Sequence, residues 1–121
     1  MLVGGTSVIS AAVQAAVAPL AASVERVAGA DRAETAAMLS AATFEPGVGV
    51  VYVVNGAGFA DGLVAAAART RSAVVLVHEA SLPARLLTAL GVLKPKAITV
   101  VGGTAAVSRT TEANLANGLG R

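Results

Sequence analysis

The chain has 121 residues, 55% of them hydrophobic and 13% charged, with a formal net charge of +2 and no cysteine. That balance lies far from the disordered regime and supplies one core built mostly from small Ala and Val side chains. It excludes a disulfide scaffold, a zinc–thiolate centre and a cysteine nucleophile, and its scattered basic residues form no dense stripe of the kind that tracks nucleic acid.

Leu2 and Val3 read as the stub of a strand that runs into a Gly4-Gly5-Thr6 turn. Ser10 is placed to cap a helix reaching residue 22. The apolar stretch 8–24 has no basic segment before it and is interrupted by Gln14 and Pro19, so it reads as a helix of the globular fold and not as a membrane span or signal peptide. A short strand over 24–27 follows. Asp31 with Glu34 three residues on resembles a capping box that opens a helix over 32–42, stopped by Pro46 and Gly47. The β-branched run 48–54 has the pattern of a central strand covered on both faces. After the Asn55-Gly56-Ala57-Gly58 turn, a helix is expected over 59–69 and a second buried strand over 73–77. Ser81 and Pro83 start the next helix, which Gly91 ends. A last strand over 97–101 leads into a helix capped by Ser108 and ending at Gly118.

Alternation of this kind predicts an α/β fold: a mainly parallel sheet with helices on both faces, a Rossmann-like three-layer module. The segment Leu2-Val3-Gly4-Gly5-Thr6-Ser7-Val8-Ile9-Ser10 returns as Val100-Val101-Gly102-Gly103-Thr104-Ala105-Ala106-Val107-Ser108, 98 residues on from Gly4 to Gly102. A period of that length fits a whole α/β module. Residues 1–22 accordingly read as the trailing strand and helix of a preceding repeat, and residues 23–121 as one complete module.

In parallel α/β folds ligands gather at the carboxyl ends of the strands. The two Gly-Gly-Thr turns there lack the Lys-Ser/Thr of a phosphate loop and read as tight turns needing positive φ. Gly56-x-Gly58-x-x-Asp61, with Glu79 after the next strand, is the nearest approach to a dinucleotide fingerprint. Asp61 stands where the third glycine belongs, and its carboxylate opposes a pyrophosphate at that helix start. The lone histidine, His78, reads as a hydrogen-bonded strand terminus. Arg26 and Arg32 flank the Gly29 turn and the capping Asp31, and their guanidinium forks suit either a bound anion or an internal ion pair with Asp31, Glu34 or Asp61.

Arg26-x-x-Gly29-x-Asp31-Arg32-x-x-Thr35-Ala36, then Val50-Val51-Tyr52-Val53-Val54-Asn55-Gly56-x-x-Phe59-Ala60-Asp61-Gly62-Leu63, then Ala73-Val74-Val75-Leu76 before Leu82-Pro83, and finally Val100 through Ser108, together resemble the ordered signature of the cell wall binding repeat 2 family. The resemblance implies a non-catalytic anchoring module of Gram-positive surface proteins, present in tandem copies, exported by a signal upstream and holding an anionic wall polymer without a cofactor or metal. It points to Arg26, Asp31, Arg32 and Thr35 as polymer-binding residues. Gly4, Gly5, Gly29, Gly56, Gly58, Asp61, Gly102, Gly103 and Ser108 belong to the turns. Partners are then the polymer and sister repeats or further copies, with neither nucleic acid nor membrane insertion. The chain departs from the family at Ala73, where proline is usual, at Gly62, where alanine is usual, and at Ala33, where an aromatic residue is frequent. The alternative is a small Rossmann-like nucleotide-binding or enzymatic domain that uses the Gly56-x-Gly58 turn.

Overall fold

In the computed structural model, which describes residues 1–57, 72–77 and 82–119, the longest strand grows from the most apolar run in the chain. Val50–Asn55 (β3) is flanked by Ala73–Val77 (β4) and Ala97–Val101 (β5), both parallel to it, in the order β4-β3-β5. Val51, Val53, Val75 and Val77 are fully buried, as are Leu86 and Leu93 of the helix Ala84–Leu93 (α3), and Val107 and Leu115 close the same cluster. Each such side chain contributes roughly 1.5–3 kcal/mol by leaving water. On the other side of β3, Val54 is also fully buried. The strand is therefore covered on both faces, as its unbroken apolar run requires.

The helix Arg32–Thr43 (α2) packs against β4 and α3. Its buried Ser40 donates to the carbonyl of Val74 at 3.2 Å, so α2 closes the outer edge of β4, where the sheet would otherwise present unpaired backbone. The edge strand at the other end of this sheet is β5.

The first 27 residues build a second, smaller sheet. Leu2–Val3 (β1) pairs in parallel with Arg26–Val27 (β2), and the two are joined through the helix Ala11–Val17 (α1) and a single 3-10 turn, Ala18–Leu20. The class is α/β with parallel pairing throughout, as expected from the alternation, but the strands fall into a pair and a triplet. Helix α1 is shorter than the predicted 10–22 because Pro19 diverts the chain into the 3-10 turn. The strand expected over 24–27 is reduced to its last two residues. Helix α3 runs through Gly91 to Leu93 and stops at Lys94, which takes the left-handed conformation (φ 44°) ahead of Pro95. A glycine costs a helix about 1 kcal/mol, less than the burial of Leu90 and Leu93 returns. Pro83 precedes that helix as its N-cap; Ser81, the predicted helix 59–69, His78 and Glu79 lie outside the described residues. The final helix is Arg109–Leu119 (α4), one residue beyond the predicted end.

The duplicated segment folds the same way twice. Gly4 and Gly102 hold φ of +131° and +121°, a region in which L side chains are strained. In the first copy the N–H groups of Val8 and Ile9 donate to Gly5 O at 3.0 and 2.9 Å; in the second, those of Ala106 and Val107 donate to Gly103 O at 2.9 and 3.0 Å. The hydroxyls of Ser10 and Ser108 cap α1 and α4 by accepting from Val13 N and Thr111 N, both at 3.2 Å. Of each glycine pair, only the first residue needs positive φ.

Candidate binding site at the strand ends

Asp31 begins α2 as its N-cap, and its carboxylate accepts from Glu34 N–H at 2.8 Å. This is the expected half of a capping box. The other half is displaced by one residue, because Glu34 reaches back to the N–H of Ala30 and not to that of Asp31. Its second oxygen takes Arg85 of α3, Nε to Oε1 at 2.9 Å. The hydrogen bond from Ala30, then Arg85, hold the Glu34 carboxyl below its usual value of 4.5.

The loop ahead of α2 is fastened by Thr35. Its hydroxyl accepts from Gly29 N–H and donates to Asp31 O, both at 2.8 Å. Gly29 lies so close to the first turn of α2 that a Cβ there would fall 2.5 Å from Glu34 Cβ and Cγ and 2.7 Å from Thr35 N. Glycine is required here for close approach, since its φ is not positive.

The two arginines part company. Arg32 is exposed and lies across the end of β3, where Nη1 donates to Gly56 O at 3.1 Å and Cδ and Cγ lie over the glycine. Arg26 is partly buried and points into the smaller sheet: Nη1 donates to Gly4 O at 2.6 Å and Nε to Gln14 Oε1 at 3.1 Å. Of the carboxylates expected to pair with these arginines, Glu34 binds Arg85 instead. The pairing joins positions 51 apart, and nothing local in the sequence marks it. Asp61 and Gly58 lie outside the described residues.

Two backbone donors of the turn after β3 are already used within the fold. Gly56 N–H donates to Val77 O at 2.9 Å, and Ala57 N–H to Asn55 Oδ1 at 2.7 Å. Neither of these two groups is left to hold a phosphate, which is the first need of a dinucleotide site. Asn55 also donates from Nδ2 to Ala106 O at 2.6 Å, so one side chain ties the β3 turn to the Gly102 turn. The Asn-Gly pair signalled a turn; its cross-link across 51 residues is a tertiary fact. Among the described residues no group of His, Asp and Glu could hold a metal ion, and no helix is long and apolar enough to cross a membrane.

Among the described residues the strand-end surface has fixed turns and the exposed Arg32 guanidinium. These features define an α/β module with a duplicated glycine turn. The chain belongs to the cell wall binding domain 2 (CWB2) family, whose family model matches residues 26–112. Among solved structures it is similar to Cwp8 from Clostridium difficile, with a TM-score of 0.80 and 31% identity over 98% of this chain and 20% of that one. The chain thus spans about a fifth of the length of that protein. No curated protein matches it significantly.

Proposed function

We propose that this module anchors a surface protein by holding an anionic wall polymer non-covalently and without catalysis, outside the cell, as one member of a tandem array. Membership of the cell wall binding domain 2 family supports the cell-wall role. The observation that carries the finer reading is Arg32, an exposed residue whose stem lies over Gly56 and whose Nη1 donates to Gly56 O. Among the described residues it is held by one hydrogen bond, to a neutral carbonyl, which leaves donors and charge for an acidic group of the polymer. Asp31 and Thr35 serve the site indirectly, by fixing the helix start from which Arg32 projects. Arg26 supports the neighbouring Gly4 turn. Residues 1–22 act as the end of a preceding repeat and residues 23–121 as the module proper, with sister repeats as neighbours.

Equilibrium titration with purified anionic wall polymer tests this reading, with adenine nucleotide as the comparison ligand. The expected result is polymer binding that weakens steeply with salt, because condensed counterions are released, and no nucleotide binding. Arg32→Ala should weaken polymer binding about tenfold, or ~1.4 kcal/mol, with the fold intact. Undiminished affinity in Arg32→Ala at unchanged stability would remove this residue from the site, and nucleotide binding in place of polymer binding would return the Gly56 turn to a Rossmann-like role.

A further inference from the structure

We infer that the open edge of β5, with Gly102 and Glu112 beside it, is a socket for the Arg26–Val27 strand of a second copy of this module. The smaller sheet shows what fills such a socket, because β1 is the earlier copy of β5. Residues of a parallel strand present their backbone groups alternately to its two neighbours. On β1, Leu2 N–H donates to Glu25 O at 2.7 Å and Gly4 N–H to Val27 O at 2.9 Å, so these residues face β2. Their counterparts on β5, 98 positions later, are Val100 and Gly102.

The larger sheet fixes which way those counterparts face. Gly56 N–H donates to Val77 O, so even-numbered residues of β3 face β4, and Val51 and Val53 face β5. Val53 stands opposite Val100 in the register. The residues that complete that ladder are therefore Thr99 and Val101, and Val100 and Gly102 face the opposite side. The edge by which β1 holds β2 is the edge on which β5 has no strand neighbour among the described residues. A second copy's β2 seated there extends the sheet to β4-β3-β5-β2, a head-to-tail contact that repeats from copy to copy.

Charge complementarity identifies the same occupant. Within the chain Arg26 is held by Gly4 O and by Gln14, whose counterparts are Gly102 and Glu112. Gln14 offers one oxygen, which satisfies Nε, and Arg26 Nη2 remains buried with no partner among the described residues. A buried donor in that condition is costly. A carboxylate at the position of Gln14 offers two oxygens to the fork of Nε and Nη2. Glu112, exposed on the first turn of α4, supplies that carboxylate in the second socket. The guanidinium is half-satisfied at its own socket and fully matched at the other.

The test uses the full chain with its own pairing weakened. In Leu2→Pro/Gln14→Ala the Leu2 N–H and the Gln14 oxygen are removed, which frees β2 and leaves β5 and α4 untouched. The double variant should associate more than tenfold more strongly than the unaltered chain in light scattering, with amide exchange slowed at Val100 and Gly102. Adding Glu112→Lys should abolish the association, and adding Glu112→Gln should retain it in weakened form. Association no stronger than that of the unaltered chain, association indifferent to Glu112→Lys, or unchanged exchange at Val100 and Gly102 would overturn the proposal. If circular dichroism shows the double variant to be unfolded, a peptide of residues 23–31 added to the unaltered chain takes its place. Slowed exchange at the same two amides then supports the socket, and unchanged exchange at millimolar peptide overturns it. Polymer titration plays no part in either experiment, so this socket and the polymer site stand or fall separately.

Discussion

A methyl group on Gly29 would collide with the backbone nitrogen of Thr35 and the side-chain stem of Glu34. The backbone and the start of the helix would both have to shift. Gly29→Ala should therefore destabilise the protein by about 1–3 kcal/mol, whereas Gly103→Ala, where a Cβ meets nothing within 4 Å, should be close to neutral; denaturant midpoints of the two variants check the contrast. Glu34 gives a pH signature. Its folded-state pKa lies below the usual value of 4.5, so its stabilising effect is complete above that value and is lost as the pH falls through the lowered one. The unaltered protein should lose stability in acid more steeply than Glu34→Gln, as measured by urea unfolding across the acid range. Sequence spacing sufficed to place Asp31 and Glu34 together at a helix start. It could not reveal that Glu34 also binds Arg85, because that contact depends on how α2 meets α3. Nor could it tell that Arg26 turns inward while Arg32 lies on the surface, since both residues flank the same glycine turn.

Helices α1 and α4 begin with the same turn and the same serine cap, yet their surroundings differ. α1 has no buried residue, whereas α4 carries buried Thr111 and Leu115. Ser108→Ala should cost about 0.5–2 kcal/mol of global stability, while Ser10→Ala should do little more than speed local opening of α1. Amide exchange read helix by helix, beside a denaturant titration, distinguishes the two outcomes. Element positions were most legible where apolar β-branched runs met clear punctuation, as at 73–77 and 97–101, whose observed bounds agree with the expected ones. They were least legible where a local preference met a larger tertiary term, as at Gly91, which the burial of Leu93 carries past the expected helix end.

At the scale of the molecule, the beginning of the chain wears its apolar residues outside: Val8 and Leu20 are 77% and 81% exposed, and Val13 is 47% exposed. The counterpart of Val13 is Thr111, which is 1% exposed. The same local structure is thus a core element at one end and a bare one at the other, and exposed apolar side chains gathered in one short segment favour association. Val13→Thr should leave stability within about 0.5 kcal/mol and reduce concentration-dependent association in light scattering. The repeated segment made this duplication readable from the amino acids. The division of the strands into a pair and a triplet was not readable, because the 98-residue period says which segments are alike and leaves open which strand each one borders.

The short span of the first pairing also sets an order of events during synthesis. Leu2 meets Arg26 across 24 residues of chain, whereas Val50 meets Ala97 across 47. A doubling of that kind adds about 0.6 kcal/mol of closure entropy. The residues of the smaller sheet also leave the ribosome first, seconds ahead of β5 at about 5–20 residues per second. By the time a nascent β5 emerges, its own chain's β2 is already paired with β1. The timing protects a chain carrying many such modules from threading the wrong strand into the wrong neighbour.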